Sequence, residues 1–294
     1  MTLTRLAACL AAFLVPGLSA AANARLDYLG TYTWPVEEHR SGGFSAIEVA
    51  EDGRDFIALS DRGPITFGRF TRDPETGHIT GVHATIPEML RDTSGKVHPK
   101  ETYDPEGLAV SPSGRFYVSY EGLNLIWGYD EPSLAVETLT TEAFKRLQGN
   151  SGLEALAMDP QGRLVTMPER SGQLTTPFPV WRLEQDGWHH RFDLARSGGF
   201  LMVGADFGPD GRLYTLERIF TGWGFRSRIR RFTFADDRIV ADETLLETVL
   251  WQHDNLEGLS AWRDDTGAIR LTMISDDNFS TVLKTNIVEY RVVE

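Results

Sequence analysis

Cysteine is all but missing from this sequence. The single one, Cys9, sits in an apolar leader, so a chain that loses the leader has no thiol at all. Disulfide cross-links and thiol catalysis are excluded for such a chain. Positive charge is also scarce: lysine and arginine number 29 against 42 aspartates and glutamates, a net charge of −13. So acidic a body repels nucleic acid and anionic membrane surfaces, and an anionic substrate would need local arginines or a bound metal. Beyond Leu18 no apolar run is long enough to cross a bilayer. Convincing helical periodicity is absent too; Thr141 to Gln148 is at most a short helix. Three catalytic signatures are lacking: a Gly-x-Ser-x-Gly nucleophile elbow, a His-Glu-x-x-His helix and a Gly-rich phosphate loop ending in Lys-Ser/Thr. Gly222-Trp223-Gly224 lacks the rest of a dinucleotide fingerprint, so no organic cofactor is expected.

What is present begins with that leader. Met1 to Arg5 form a short positive segment, Leu6 to Leu18 an apolar one, and Ala22-Asn23-Ala24 a small-x-small cleavage site. Residues 1–24 therefore read as a secretory signal and 25–294 as an exported domain, periplasmic or secreted. Leu6-Ala7-Ala8-Cys9 spells a lipoprotein box but precedes the apolar run, which argues against a lipid anchor.

The domain itself is repetitive. Glu106-Gly107-Leu108-Ala109 leads through Ser113-Gly114 to Tyr120-Glu121, and Glu154-Ala155-Leu156-Ala157 leads through Gln161-Gly162 to Pro168-Glu169. Glu257-Gly258-Leu259-Ser260 leads to Ser275-Asp276. Degenerate copies run from Ser45-Ala46 to Ser60-Asp61-Arg62 and from Val203-Gly204 to Glu217-Arg218. Each copy is two apolar-rich strands around a glycine turn, a β-hairpin pattern. A repeat of about 50 residues with room for two more strands after each hairpin predicts an all-β propeller of four-stranded blades. The tally favours five blades, and the gap from Pro64 to Tyr103 has room for a sixth. The last copy has one strand left, Asn286 to Val292, and the chain start supplies another, Arg25 to Tyr32. Pairing the two would close the ring and remove two exposed edges.

Residues equidistant from a hairpin turn face each other. On that rule Glu106 opposes Glu121, Glu154 opposes Glu169, and Glu257 opposes Asp276. Ser45 opposes Asp61 in the first copy; in the fourth, Val203 stands where the acid would be, and Glu217 and Arg218 remain. If the first strand of each repeat is innermost, the acids converge on one end of the central channel. Several carboxylates there raise each other's pKa or demand a cation, and a hard divalent ion such as Ca²⁺ suits oxygen donors. Arg62, Arg170 and Arg218 directly follow the terminal acids of three repeats. They would serve as ion-pair partners or as contacts to a substrate phosphate.

With these residues assembled, the chain resembles the phytase-like propeller family, also called esterase-like phytase. The matching stretches, in order, are Gly43-Phe44-Ser45-Ala46 leading to Leu59 through Gly63; Asp104 through Ala109; Leu153 through Ala157; Gly211 through Arg218; and Asp254 through Leu259 leading to Ser275-Asp276-Asp277-Asn278-Phe279. The resemblance implies an exported propeller with phosphoester or ester hydrolase activity on a small anionic or ester substrate. The expected roles are Glu106, Glu154 and Glu257 as catalytic groups, with Asp61, Glu121, Glu169, Glu217, Asp276 and Asp277 as ligands to Ca²⁺. Arg62, Arg170 and Arg218 would be the substrate contacts. A non-catalytic binding propeller and a lactonase-type propeller hydrolase are the alternatives, and a monomer is expected. Among the remaining candidates, His98 and His253 read as loop residues, His189-His190 as surface, and Trp34, Trp223 and Trp251 as packing between blades.

Overall fold

The computed structural model describes residues 24–35, 42–149 and 151–294. The expected signal, through Asn23 and with Cys9 in it, lies outside the described residues.

The described residues form five antiparallel sheets, each with a path of four strands that is successive in all but one. Blade 1 comprises Phe44–Val49, Asp55–Ser60, Pro64–Arg72 and Ile79–Ala84, with the short Glu88–Met89 added beside the third strand. Blade 2 comprises Pro105–Val110, Phe116–Tyr120, Leu125–Glu131 and Leu134–Leu139. Blade 3 comprises Leu153–Met158, Leu164–Pro168, Phe178–Glu184 and Gly187–Leu194. Blade 4 comprises Leu201–Phe207, Leu213–Phe220, Phe225–Ala235 and Arg238–Glu247. Blade 5 takes Asn255–Arg263, Ile269–Asp276 and Asn286–Val293 from the chain end and Arg25–Thr33 from its start. The terminal strands pair antiparallel, Arg25 with Val293 through Thr33 with Asn286, as the strand tally requires. Among the described residues there is no sixth blade: the gap from Pro64 to Tyr103 is spent on the outer strands of blade 1 and one helical turn, Lys100–Tyr103. The stretch around Thr141 to Gln148 holds a single 3₁₀ turn, Phe144–Arg146.

The first strand of each blade is innermost, and each touches the first strand of the next blade around a closed ring. Every inner hairpin turns on a glycine with positive φ: Gly53, Gly114, Gly162, Gly211 and Gly267 lie between 66° and 87°. Side chains with a Cβ rarely adopt that region, which is why the turn glycine recurs. Apolar faces then pack blade on blade, for example Val203, Tyr214 and Leu216 of blade 4 against Leu259, Leu271 and Met273 of blade 5.

The hairpin register departs from simple symmetry in the same way five times. Leu153 pairs with Pro168 and Ala155 with Met167, leaving Glu154 as an extra residue. Identical register shifts fall at Ser45, Val203 and Glu257, and one spans Glu106 and Gly107. A β-bulge re-aims the side chain of its extra residue. The acids therefore do not face their sequence-symmetric partners. Asp61, Glu121 and Glu169 instead donate their backbone N–H groups to the carbonyls of Gly43, Asp104 and Gly152, and Asp276 pairs with Asn255.

Candidate metal centre at the channel mouth

The bulges explain how a ring of strands gathers acids. The residue after the bulge faces the next inner strand and must be small: a Cβ on Gly107 would come 2.4 Å from the Glu154 carbonyl oxygen, and one on Gly258 would come 2.7 Å from the Ile47 nitrogen. Close strand approach brings the bulged side chains of neighbouring blades to a common centre. Glu106, Glu154 and Glu257, from blades 2, 3 and 5, interact electrostatically, and each is pushed above the ordinary carboxylate range, first by burial and then by its neighbours. For Glu257 the neighbouring Arg218 and a hydrogen bond from Asn255 restrain the rise.

A second tier comes from the ends of the second strands. Glu121 is raised to about 7 by burial and by Asp104 and Glu169, and Asp276 reaches about 7 through burial and Glu257. Asp61 is raised by burial against the opposing pull of Lys100, to which its Oδ2 is hydrogen-bonded. Carboxyl oxygens of Asp104, Glu106 and Glu121 lie within 4.8 Å of one another, close enough to share one ion. Oδ1 of Asp61 and Oδ1 of Asp104 are buried and have no hydrogen-bond partner among the described residues. Hard oxygen donors, mutual repulsion and orphaned lone pairs together fit a divalent cation of the Ca²⁺ type.

Two cations answer this charge. Arg218 Nη1 is 2.9 Å from Glu257 and donates to Asn255 Oδ1 at 2.8 Å, while Nη2 is 3.8 Å from Glu169. Lys100, on the helical turn ahead of blade 2, bonds Asp61 and lies 3.6 Å from Asp104.

Other residues singled out in the sequence are drawn elsewhere. Glu217 is fully buried inside blade 4, with Arg228 on one oxygen and Arg230 on the other at 2.9 Å. Asp277 ties its loop by accepting from Gly43 N at 3.0 Å, Phe279 N at 2.9 Å and Thr285 Oγ1 at 3.1 Å. Arg62 is exposed and stacks 3.2 Å above the Phe279 ring. Arg170 donates to Gln148 at 3.2 Å. His98 packs on Tyr103 and bonds Asp92, and His253 bonds the Tyr290 hydroxyl at 2.7 Å. Trp34 packs on Phe44 as expected, but Trp223 and Trp251 are 80% and 64% exposed. They stand at the hairpin tip of blade 4 and in the loop before blade 5, where no facing blade covers them. Lys100 and Asp104 belong to the mouth, yet the hairpin repeat assigned them no role. An apolar hollow of about 630 Å³ bounded by Val49, Phe56, Ile57, Phe67 and Val110 shares none of the mouth's acids.

Solved structures share this architecture at low identity. A PQQ-bound aldose sugar dehydrogenase from Streptomyces coelicolor is 14% identical, with a TM-score of 0.51 over 92% of this chain and 99% of that one. A gluconolactonase from Xanthomonas campestris is 17% identical, with a TM-score of 0.50 over 93% of this chain and 83% of that one. Likeness at that level is a likeness of fold. No match was found among curated proteins. The profile described as phytase-like, esterase-like activity of phytase, matches residues 39–279, and the chain belongs to that family.

Proposed function

We propose that the channel mouth holds a divalent cation, Ca²⁺ foremost, and hydrolyses a phosphoester or ester bond of a small anionic substrate. The observation that carries this reading is the three-carboxylate cluster of Asp104, Glu106 and Glu121, with oxygens within 4.8 Å of one another. Those three residues, with Asp61 beside them, would hold the ion. A bound ion of this kind fixes a phosphoryl oxygen and lowers the pKa of a coordinated water. The protein's own groups supply the rest. Burial and neighbouring acids keep Glu154 protonated to higher pH than an ordinary carboxyl, so it can donate a proton to a leaving oxygen, while Glu257 stays paired with Arg218 and holds it at the mouth. Asp276, at about 7, is matched to accept one at neutral pH. Arg218 presents a guanidinium across the mouth to an incoming oxyanion. Export to the periplasm or the medium belongs to the same reading.

The test is hydrolysis of phytate and a simple aryl phosphate by the purified protein, with Ca²⁺ and with chelator. Ca²⁺-dependent turnover that falls at least a hundredfold in Glu106→Gln and Glu257→Gln is expected. Turnover no higher than in those variants removes the phosphoesterase reading. Exposed Trp223 and Trp251 lie on the loops that follow Arg218 in blade 4 and precede Glu257 in blade 5, outside the acid cluster itself, and aromatic faces there would suit a sugar-like lactone as second reading. Turnover of lactones but not phosphoesters selects it, and Ca²⁺ binding without any turnover selects a binding propeller.

A further inference from the structure

Lys100 opens the single helical turn Lys100–Tyr103, and the turn is held firmly. The Asp104 N–H donates to the Lys100 carbonyl at 3.1 Å, and Tyr103 stacks on His98 with 3.5 Å between ring centres and packs on Trp127 at 5.3 Å. Asp104 leaves the turn at φ 21°, a conformation that residues with a Cβ rarely hold, and its carbonyl accepts the Glu121 N–H at 2.9 Å. The backbone thus fixes Asp104 and Glu121 beside Glu106. The Lys100 side chain is less confined and stays 40% exposed. Its ammonium bonds Asp61 Oδ2 and lies 3.6 Å from Asp104, within the field of Glu106.

We propose that Lys100 is an exchangeable counter-ion: it neutralises Asp61 and Asp104 in the metal-free protein, yields them to a divalent cation, and then turns to an oxyanion of the substrate. The inference rests on the metal reading given above. Three comparisons support it. Arg218 is pinned by Asn255 and Glu257 through a planar fork, whereas Lys100 is a point charge on a flexible stem. The lysine side chain itself is 40% exposed, so once a cation takes over the buried Asp61 its release into water costs little. The ammonium also leaves the job incomplete, because Asp61 Oδ1 stays buried without a partner. A dication offers these carboxylates twice the charge and more coordination positions. After displacement, the ammonium remains on its turn at the edge of the mouth, where an anionic group would arrive.

Ca²⁺ titration calorimetry on the chelator-stripped full-length protein tests this. Lys100→Met should bind Ca²⁺ at least tenfold tighter than wild type, while Lys100→Arg, which keeps the charge, should not. Lys96→Gln, a charge loss on the preceding loop, should change affinity by less than threefold. With an aryl phosphate, Lys100→Met should raise KM despite its tighter metal, a pair of opposed effects that a merely structural lysine does not give. Should Lys100→Met fail to fold, Lys100→Gln replaces it. The ¹⁵N signal of the wild-type ammonium, protected in chelator and exchanging rapidly after Ca²⁺ is added, reads the same exchange without a substitution. Ca²⁺ binding that is unchanged or weaker in Lys100→Met overturns the counter-ion inference and leaves the metal reading standing, as does equal tightening in Lys96→Gln. No Ca²⁺ binding by any variant overturns both.

Discussion

The guanidinium of Arg218 reaches from blade 4 to blade 5 and meets the Glu257 carboxylate at 2.9 Å. Blade 4 is the blade whose bulge carries valine, Val203, so its contribution to the mouth is a cation instead of an acid. Arg218→Met would leave Glu257 buried without its counter-charge, a loss expected to cost about 3 kcal/mol in urea unfolding. Glu257→Gln in the same background should recover a large part of it. A coupling energy of more than about 1 kcal/mol between the two substitutions is expected, and strict additivity would dissolve the pair.

Close approach of the inner strands makes a second prediction. Gly107→Ala places a methyl group 2.4 Å from the Glu154 carbonyl oxygen and 2.6 Å from Ser119 Oγ, so strands of blades 2 and 3 must part. Overpacking of this kind costs about 2 kcal/mol. It should also weaken Ca²⁺ binding, because Glu106 moves with the bulge. Gly30→Ala, with open space around it, is the matched control and should be neutral or slightly stabilising. Equal effects of the two would refute the packing account.

Asp206 and Glu48, from blades 4 and 1, both hydrogen-bond Ser260 of blade 5, away from the acid mouth. Burial raises both, Asp206 to about 7, so the native protein keeps protons that the unfolded chain has released. The contribution of Asp206 to stability is complete below the unfolded carboxylate range, near 4, and is lost as pH climbs through about 7, and Glu48 acts in the same direction. Asp206→Asn preserves an acceptor for the Ala261 N–H, now made at 2.7 Å. It should flatten the fall in melting temperature between pH 5 and 8 in chelator and stabilise the protein at pH 8 by on the order of 2 kcal/mol. An unchanged pH slope would show that the pair does not titrate in this window.

The propeller was legible because its information is periodic: five hairpins with a glycine turn, and two lone strands at the termini that need each other. The convergence of Glu106, Glu154 and Glu257 followed from the same period. The partners of these acids did not, because one extra residue in each inner strand shifts the register, and a bulge leaves no mark that counting from the turn detects. Glu217 shows the same limit in another form. By register Arg218, not Glu217, stands at the position of Asp61, because Glu217 pairs with Met202 as Ser60 pairs with Phe44. The Glu217 side chain therefore turns to Arg228 and Arg230 in the next strand, and cross-strand neighbours are invisible in a hairpin taken alone. Asp104 was in view within Asp104-Pro105-Glu106-Gly107-Leu108, and Asp254 near the equivalent place in blade 5 was the available hint. Lys100 had no such signal, since it lies in the non-repeating segment and reaches the mouth only through the folded turn.

Closure of the ring can be tested apart from the mouth. Arg72, from the third strand of blade 1, grips Glu289 of the C-terminal strand with two hydrogen bonds of 2.8 Å, and both side chains are nearly buried. Glu289 also accepts from Thr272 Oγ1 at 2.8 Å, and the Arg72 guanidinium stacks over Trp262 at 4.9 Å, so the pair joins blade 1 to three strands of blade 5. Breaking it from one side leaves the buried Glu289 with only the more distant Arg270, at 3.8 Å, as counter-charge: Arg72→Met should cost about 3 kcal/mol. Arg72→Met with Glu289→Gln should lose less than Arg72→Met alone, since no charge is then left unpaired. Because the terminal strand Arg25–Thr33 pairs only with the strand that carries Glu289, hydrogen exchange in Arg25–Thr33 should speed up in Arg72→Met before the rest of the protein loosens. Uniform acceleration across all five blades would mean that the ring opens as one unit and that Arg72 holds no special place at the seam.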